Sequence, residues 1–85
     1  MDKRRIIELR GKAQSLKPTV HVGKDGATET VVAELVNQLR KNKLVKAKLL
    51  PSVEGDRKSM GEVLAAKTES TLVEVRGRTV VLAKD

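Results

Sequence analysis

The sequence predicts a small α/β domain in the order α-β-α-β-α-β-β, with helices packed on a sheet. Three observations carry that expectation. At 85 residues the chain has room for one domain, and Leu, Ile and Val supply 24 of them, more aliphatic surface than a charge-rich disordered chain holds. Val31, Leu35 and Leu39, flanked by Val32 and Val36, recur with helical rather than strand spacing over residues 28–42. Thr71 to Val75 and Thr79 to Ala83 are β-branched runs joined across Arg76-Gly77-Arg78, a hairpin signal.

Each remaining element has its own local reason. Ile6, Leu9, Ala13 and Leu16 fall on one helical face, with Ile7 beside them, so residues 2–16 are expected to be helical until Lys17-Pro18 pushes the backbone out of the α region. Thr19 to Val22 reads as a short strand. Thr28 is the expected N-cap of the second helix, Glu29 suits its first turn, and Arg40 and Lys41 suit its last. Leu44 to Leu50 alternates, placing Val45, Ala47 and Leu49 on a dry face and Lys46 and Lys48 on a wet, basic one. After the loop Pro51 to Gly55, Ser59-x-x-Glu62 is a candidate capping box for a short helix near residues 57–68.

Composition narrows the function classes. A chain of this length keeps a thin core, so catalysis in a deep enclosed pocket is disfavoured. No cysteine is present, which removes disulfide scaffolds, thiolate metal sites and thiol nucleophiles together. The single histidine, His21, has no metal-ligand or triad spacing to Asp, Glu or Ser, and on a strand it is expected to be structural. No catalytic residue, metal site or cofactor is expected. No apolar run exceeds the four residues of Val80 to Ala83, far too short for a membrane helix, and Lys3-Arg4-Arg5 is not followed by a signal-peptide core. These features point to a soluble, cytoplasmic protein.

The charge is uneven. Residues 1–50 hold 12 basic and 5 acidic side chains, and residues 51–85 hold 6 of each, so the whole net charge of +7 lies in the first three-fifths of the chain. Such bias is the footprint of a surface that meets phosphates. Lys3, Arg4 and Arg5 sit where the positive end of the helix dipole disfavours cations; a phosphate partner or a solvated, frayed end accounts for them. The unit Gly23-Lys24-Asp25-Gly26, between a strand and a helix start, carries the most chemistry. Its glycines are expected to permit φ > 0 and close approach to a sugar-phosphate backbone, Lys24 supplies the charge, and Asp25 points away. An ordinary turn is the alternative. Lys46 and Lys48, about 6.6 Å apart along a strand, and Arg76 and Arg78 beside Gly77 are further phosphate candidates, each with simple solvation as its alternative. The absence of Phe, Tyr and Trp excludes modules that stack unpaired bases on aromatic platforms, leaving recognition of backbone and shape in duplex or structured RNA.

Taken in order, Leu16-Lys-Pro18, Val20-x-Val22-Gly23-Lys24-x-Gly26-x-Thr28, Leu44-Val-Lys46-x-Lys48 and Gly77-Arg78-x-Val-Val-Leu82 resemble the CRM domain (chloroplast RNA splicing and ribosome maturation), whose stand-alone members are the YhbY-like proteins. The resemblance covers nearly the whole chain, so residues 1–85 are expected to form a single CRM-like domain. It implies a compact fold with a four-stranded mixed sheet, similar to the C-terminal domain of translation initiation factor three. The implied activity is non-catalytic RNA binding on large-subunit ribosomal RNA precursors, or on introns in plant members. The family's loop falls on Gly23, Lys24, Asp25 and Gly26, its basic strand on Lys46 and Lys48, and its hairpin cation on Arg78. Two positions depart from the pattern: Ala27 stands where Leu is usual, and Ala83-Lys84 stands where an aromatic-basic ending is common.

The expected interface is therefore Gly23, Lys24, Asp25, Gly26, Thr28, Lys46, Lys48 and Arg78, with Arg4 and Arg5, in a monomer that holds structured RNA. A DNA-coating protein and a protein-interaction adaptor using the apolar face of helix 2–16 are the alternatives.

Overall fold

A computed structural model describes residues 1–84 of the chain. The elements are α1 (Lys3–Ala13), β1 (Val20–Val22), α2 (Glu29–Asn42), β2 (Leu44–Leu49), α3 (Arg57–Thr68), β3 (Thr71–Arg76) and β4 (Thr79–Ala83). The strands form one mixed sheet in the order β1-β2-β4-β3, with β1 parallel to β2 and the other pairs antiparallel. The element order is the one the sequence predicts, and the four-stranded mixed sheet is the one the family resemblance implies.

Strand alternation divides the molecule into three layers. Val45, Ala47, Leu49, Val80 and Leu82 face one side, where they meet Leu35 and Leu39 of α2 and Leu64 and Ala65 of α3. Val81 and Ala83 face the other side, where they meet Val73 and the Leu9 and Ala13 stripe of α1. The larger core holds Leu35, Leu49, Leu64 and Leu82 out of solvent, each contributing roughly 1.5–3 kcal/mol. The register shift between Leu72 and Glu74 inserts Val73 as an extra residue. Val73 and Glu74 thus both reach the α1 side, where Glu74 pairs with Arg10 at 3.4 Å.

Helix boundaries show where the local reasoning needs correcting. α1 ends at Ala13 rather than residue 16, because the next three N–H groups tighten onto carbonyls three residues back: Gln14 to Gly11, Ser15 to Lys12 and Leu16 to Ala13. Leu16 therefore leaves the apolar stripe and is 39% exposed. Thr28 caps α2 as expected, accepting from the Val31 N–H at 3.2 Å. The proposed box of Ser59 and Glu62 does not form. Asp56 is the N-cap of α3 and accepts from Ser59 N at 3.1 Å and Ser59 Oγ at 3.0 Å, so Ser59 is the donor of the cap and not its acceptor. Ala27, small where the family usually has Leu, still packs against the larger core. No helix among the described residues is long and apolar enough to cross a membrane.

Candidate nucleic-acid interface

The strand directions place three connections at one end of the sheet: the β1-α2 loop, the β2-α3 loop and the β3-β4 turn. Backbone bonds tie them together. Leu50 N donates to Val22 O at 2.8 Å, joining the first two, and Leu49 N donates to Arg78 O at 2.6 Å, joining the third. The sequence left the convergence of its basic loops open; topology supplies it.

Within the β1-α2 loop, Gly26 N donates to Gly23 O at 2.9 Å, which closes a tight turn with Lys24 and Asp25 exposed at its tip. Only one of the two glycines needs its conformational freedom. Gly26 has φ +67° and is buried, and a Cβ there would lie 3.1 Å from the Met60 methyl. Gly23 does not adopt a positive φ, and a Cβ on it would make ordinary contact with Leu50 at 3.7 Å and Ser52 at 4.0 Å. The expectation that both glycines take φ > 0 is corrected for Gly23. The loop is a tight turn, and that turn thrusts Lys24 outward. Two loop N–H groups are already spent, Gly26 on Gly23 and Thr28 on Gly26 at 2.9 Å, and the Thr28 hydroxyl caps α2.

The two strand lysines have different roles. Lys46 Nζ donates to Ala13 O at 3.1 Å and Leu16 O at 3.2 Å, so its half-buried ammonium satisfies carbonyls at the end of α1, where the helix dipole also favours a cation. Its expected position on a wet face is corrected: α1 covers that part of the face. Lys48, two residues on, is exposed. In register across the sheet, His21 opposes Lys48, Lys48 opposes Thr79, and Thr79 opposes Arg76. These four lie on the α1 side of the sheet but beyond the α1 apolar contacts, and His21, Lys48 and Arg76 are exposed. At about 4.8 Å per strand the row spans roughly 14 Å. Around its corner, Arg57 and Arg78 line a shallow recess of about 150 Å³ with Pro51 and Gly55.

This end of the molecule thus presents Lys24, Lys48, Arg57, Arg76 and Arg78, all exposed. Arg4 and Arg5 are not brought to it by α1. They occupy the first turn of that helix, about 12–14 Å along its axis from Ala13, and Arg5 pairs with Glu8. Sequence reasoning underused His21, Arg57 and Arg76. Alternation along β3 puts Arg76 on one face with Glu74, but which residue it opposes depends on the register shift at Val73, which leaves no mark in composition. Asp56 beside Arg57 has its carboxyl held below the ordinary value of 3.8 by the backbone and hydroxyl hydrogen bonds from Ser59. Among the described residues, no group of three or more His, Asp or Glu side chains is placed to hold a metal ion.

Comparison with known proteins bears on the family and the fold. The family model for the CRS1 / YhbY (CRM) domain matches residues 1–84. The chain is 34% identical over 77 residues to Probable RNA-binding protein YqeI of Bacillus subtilis, covering 91% of this chain and 80% of that protein. It is 36% identical over 67 residues to Probable RNA-binding protein PA4753 of Pseudomonas aeruginosa, covering 79% of this chain and 64% of that one. Among solved structures, the solution structure of protein SAV1595 from Staphylococcus aureus superposes with a TM-score of 0.87 at 27% identity, covering 100% of this chain and 88% of that chain.

Proposed function

The chain belongs to the CRS1 / YhbY (CRM) domain family, and from that premise we propose that it binds structured RNA without catalysis, through the basic sheet end. The observation that carries the reading is the meeting of Lys24, Lys48, Arg76 and Arg78 at one end of the fold, where three loops are tied by backbone bonds. Charges fixed on a rigid sheet lose little freedom on binding, and each phosphate neutralised releases condensed counterions. The names of the relatives favour RNA as the polyanion. The precursor of the large ribosomal subunit is the proposed target, met in the cytoplasm by a single copy of the chain.

The mechanism is positional. Lys24 stands on the turn closed by Gly23 and Gly26, so one phosphate meets the loop tip. The next part of the backbone crosses the row of His21, Lys48, Thr79 and Arg76, where a guanidinium can form two parallel hydrogen bonds to phosphate oxygens. Such contacts set register and orientation rather than sequence.

Replacing Lys24 with Ala should weaken binding to RNA hairpins of different sequence alike and lower the salt slope by about one. An unchanged slope removes the loop from the site. Competition between RNA and DNA duplexes of equal length at fixed salt separates RNA recognition from a general nucleic-acid coat, because A-form geometry and the 2′-OH are read only in RNA. Crosslinking in cells with sequencing of the bound RNA identifies the target.

A further inference from the structure

We propose that the groove between the ends of α1 and α2 receives one unpaired nucleobase of the bound RNA, an inference that rests on the RNA-binding reading and adds base recognition to it. The groove has a volume of about 480 Å³, within the range of small-molecule sites. Leu16, Leu44 and Val45 give it aliphatic walls, and Gln38 and Asn42 bring two side-chain amides from the last turns of α2. Aliphatic surfaces can sandwich a base that has left its stack, and amides match the paired donors and acceptors of a base edge.

The walls are held in place. Lys46 reaches across from β2 to the carbonyls of Ala13 and Leu16, which fixes the α1 side. Opposite, the Thr19 hydroxyl donates to Gln38 Oε1. That orientation leaves both Nε2 hydrogens of Gln38 available as donors to a base carbonyl. Thr19 is itself anchored, its N–H donating to Lys46 O at 3.0 Å.

Charge selects the occupant. Lys12, Lys17 and Lys46 line the groove and no carboxylate does, so an anionic ligand with a flat, polar-edged body is favoured over a neutral apolar one. Continuity selects it too. Lys46 also lines the neighbouring recess, with Glu74, Arg76 and Thr79, so the groove adjoins the exposed row across the end of α1. A nucleotide flipped from a bulge would place its phosphate by the lysines and its base between Leu16 and Leu44.

The test is fluorescence anisotropy with three labelled RNA hairpins: fully paired, carrying a single uridine bulge, and carrying an abasic residue at that bulge. The bulge with its base should bind roughly tenfold tighter than the abasic one, the size of one good amide-base pair. The double variant Gln38→Leu with Asn42→Leu should abolish that advantage and leave affinity for the fully paired hairpin unchanged. Ser15→Met, which fills the groove from the exposed α1 side, should do the same without touching the amides. Equal affinity of the wild-type protein for the two bulges, or an advantage that survives both variants, overturns the base site while the RNA-binding reading stands. Failure of the wild-type protein to bind any of the three hairpins removes both.

Discussion

Gly26 and Gly23 look equivalent in a GxxG pattern and differ in what the backbone asks of them. Gly26 occupies the left-handed region beside the Met60 methyl, so Gly26→Ala should cost about 1–2 kcal/mol from the conformation alone. Gly23→Ala should leave stability within about 0.5 kcal/mol. Urea denaturation of the two variants decides it, and equal losses would mean that the turn is not the one described. Asp56 provides a second test, through pH. Its carboxyl is held below 3.8 by Ser59, so its contribution is complete above the unfolded value and lost as pH falls through the lowered folded value. Asp56→Ala should lower Tm by a few degrees at pH 7, with the gap to the wild-type protein closing in acid below that range. A gap that stayed constant would show that the carboxylate does not cap α3.

At the scale of elements, β2 carries two lysines on one face with opposite duties. Lys46→Met removes the donor to the Ala13 and Leu16 carbonyls and should destabilise the fold by about 1–3 kcal/mol. Lys48→Met should leave stability nearly unchanged and weaken RNA binding. Denaturation and anisotropy on the same two proteins test the separation; a reversed pattern would place α1 elsewhere. The reason this was not legible lies in layering. Alternation from Leu44 to Leu49 shows which side chains share a face, but only packing of α1 decides how far along that face water is excluded. Helical spacing over 28–42, the α3 range near 57–68 and the hairpin across Gly77 were legible because each is a local pattern. The end of α1 was not legible because the tightening of its last three N–H bonds leaves no mark in the apolar spacing, and Lys46, which holds the carbonyls there, is distant in sequence. The cap of α3 was not legible because it rests on Asp56, just before the helix.

For the whole molecule, the uneven charge along the chain does not map onto the surface as it does onto the sequence. The exposed cations of the sheet end come from both parts: Lys24 and Lys48 from the region holding the net charge of +7, and Arg57, Arg76 and Arg78 from the region with balanced charge. The sheet order β1-β2-β4-β3 brings them together, because the antiparallel return of β4 sets the Gly77 turn beside the end of β2. α1 covers only part of its face of the sheet, and the row from His21 to Arg76 is what it leaves open. The fold thus separates dry cores on both faces of the sheet from a cluster of exposed cations at one end. The central claim is that this end, not net charge, binds RNA. The most direct measurement is the salt dependence of affinity for a structured RNA hairpin, compared between a Lys48, Arg76 and Arg78 triple Gln variant and a Lys3, Arg40 and Lys41 triple Gln variant of equal net charge. The first should lower the salt slope by about three and weaken binding strongly, while the second leaves the slope nearly as it was. Equal loss in both variants would contradict the account, because it would mean that RNA responds to total charge and not to this surface.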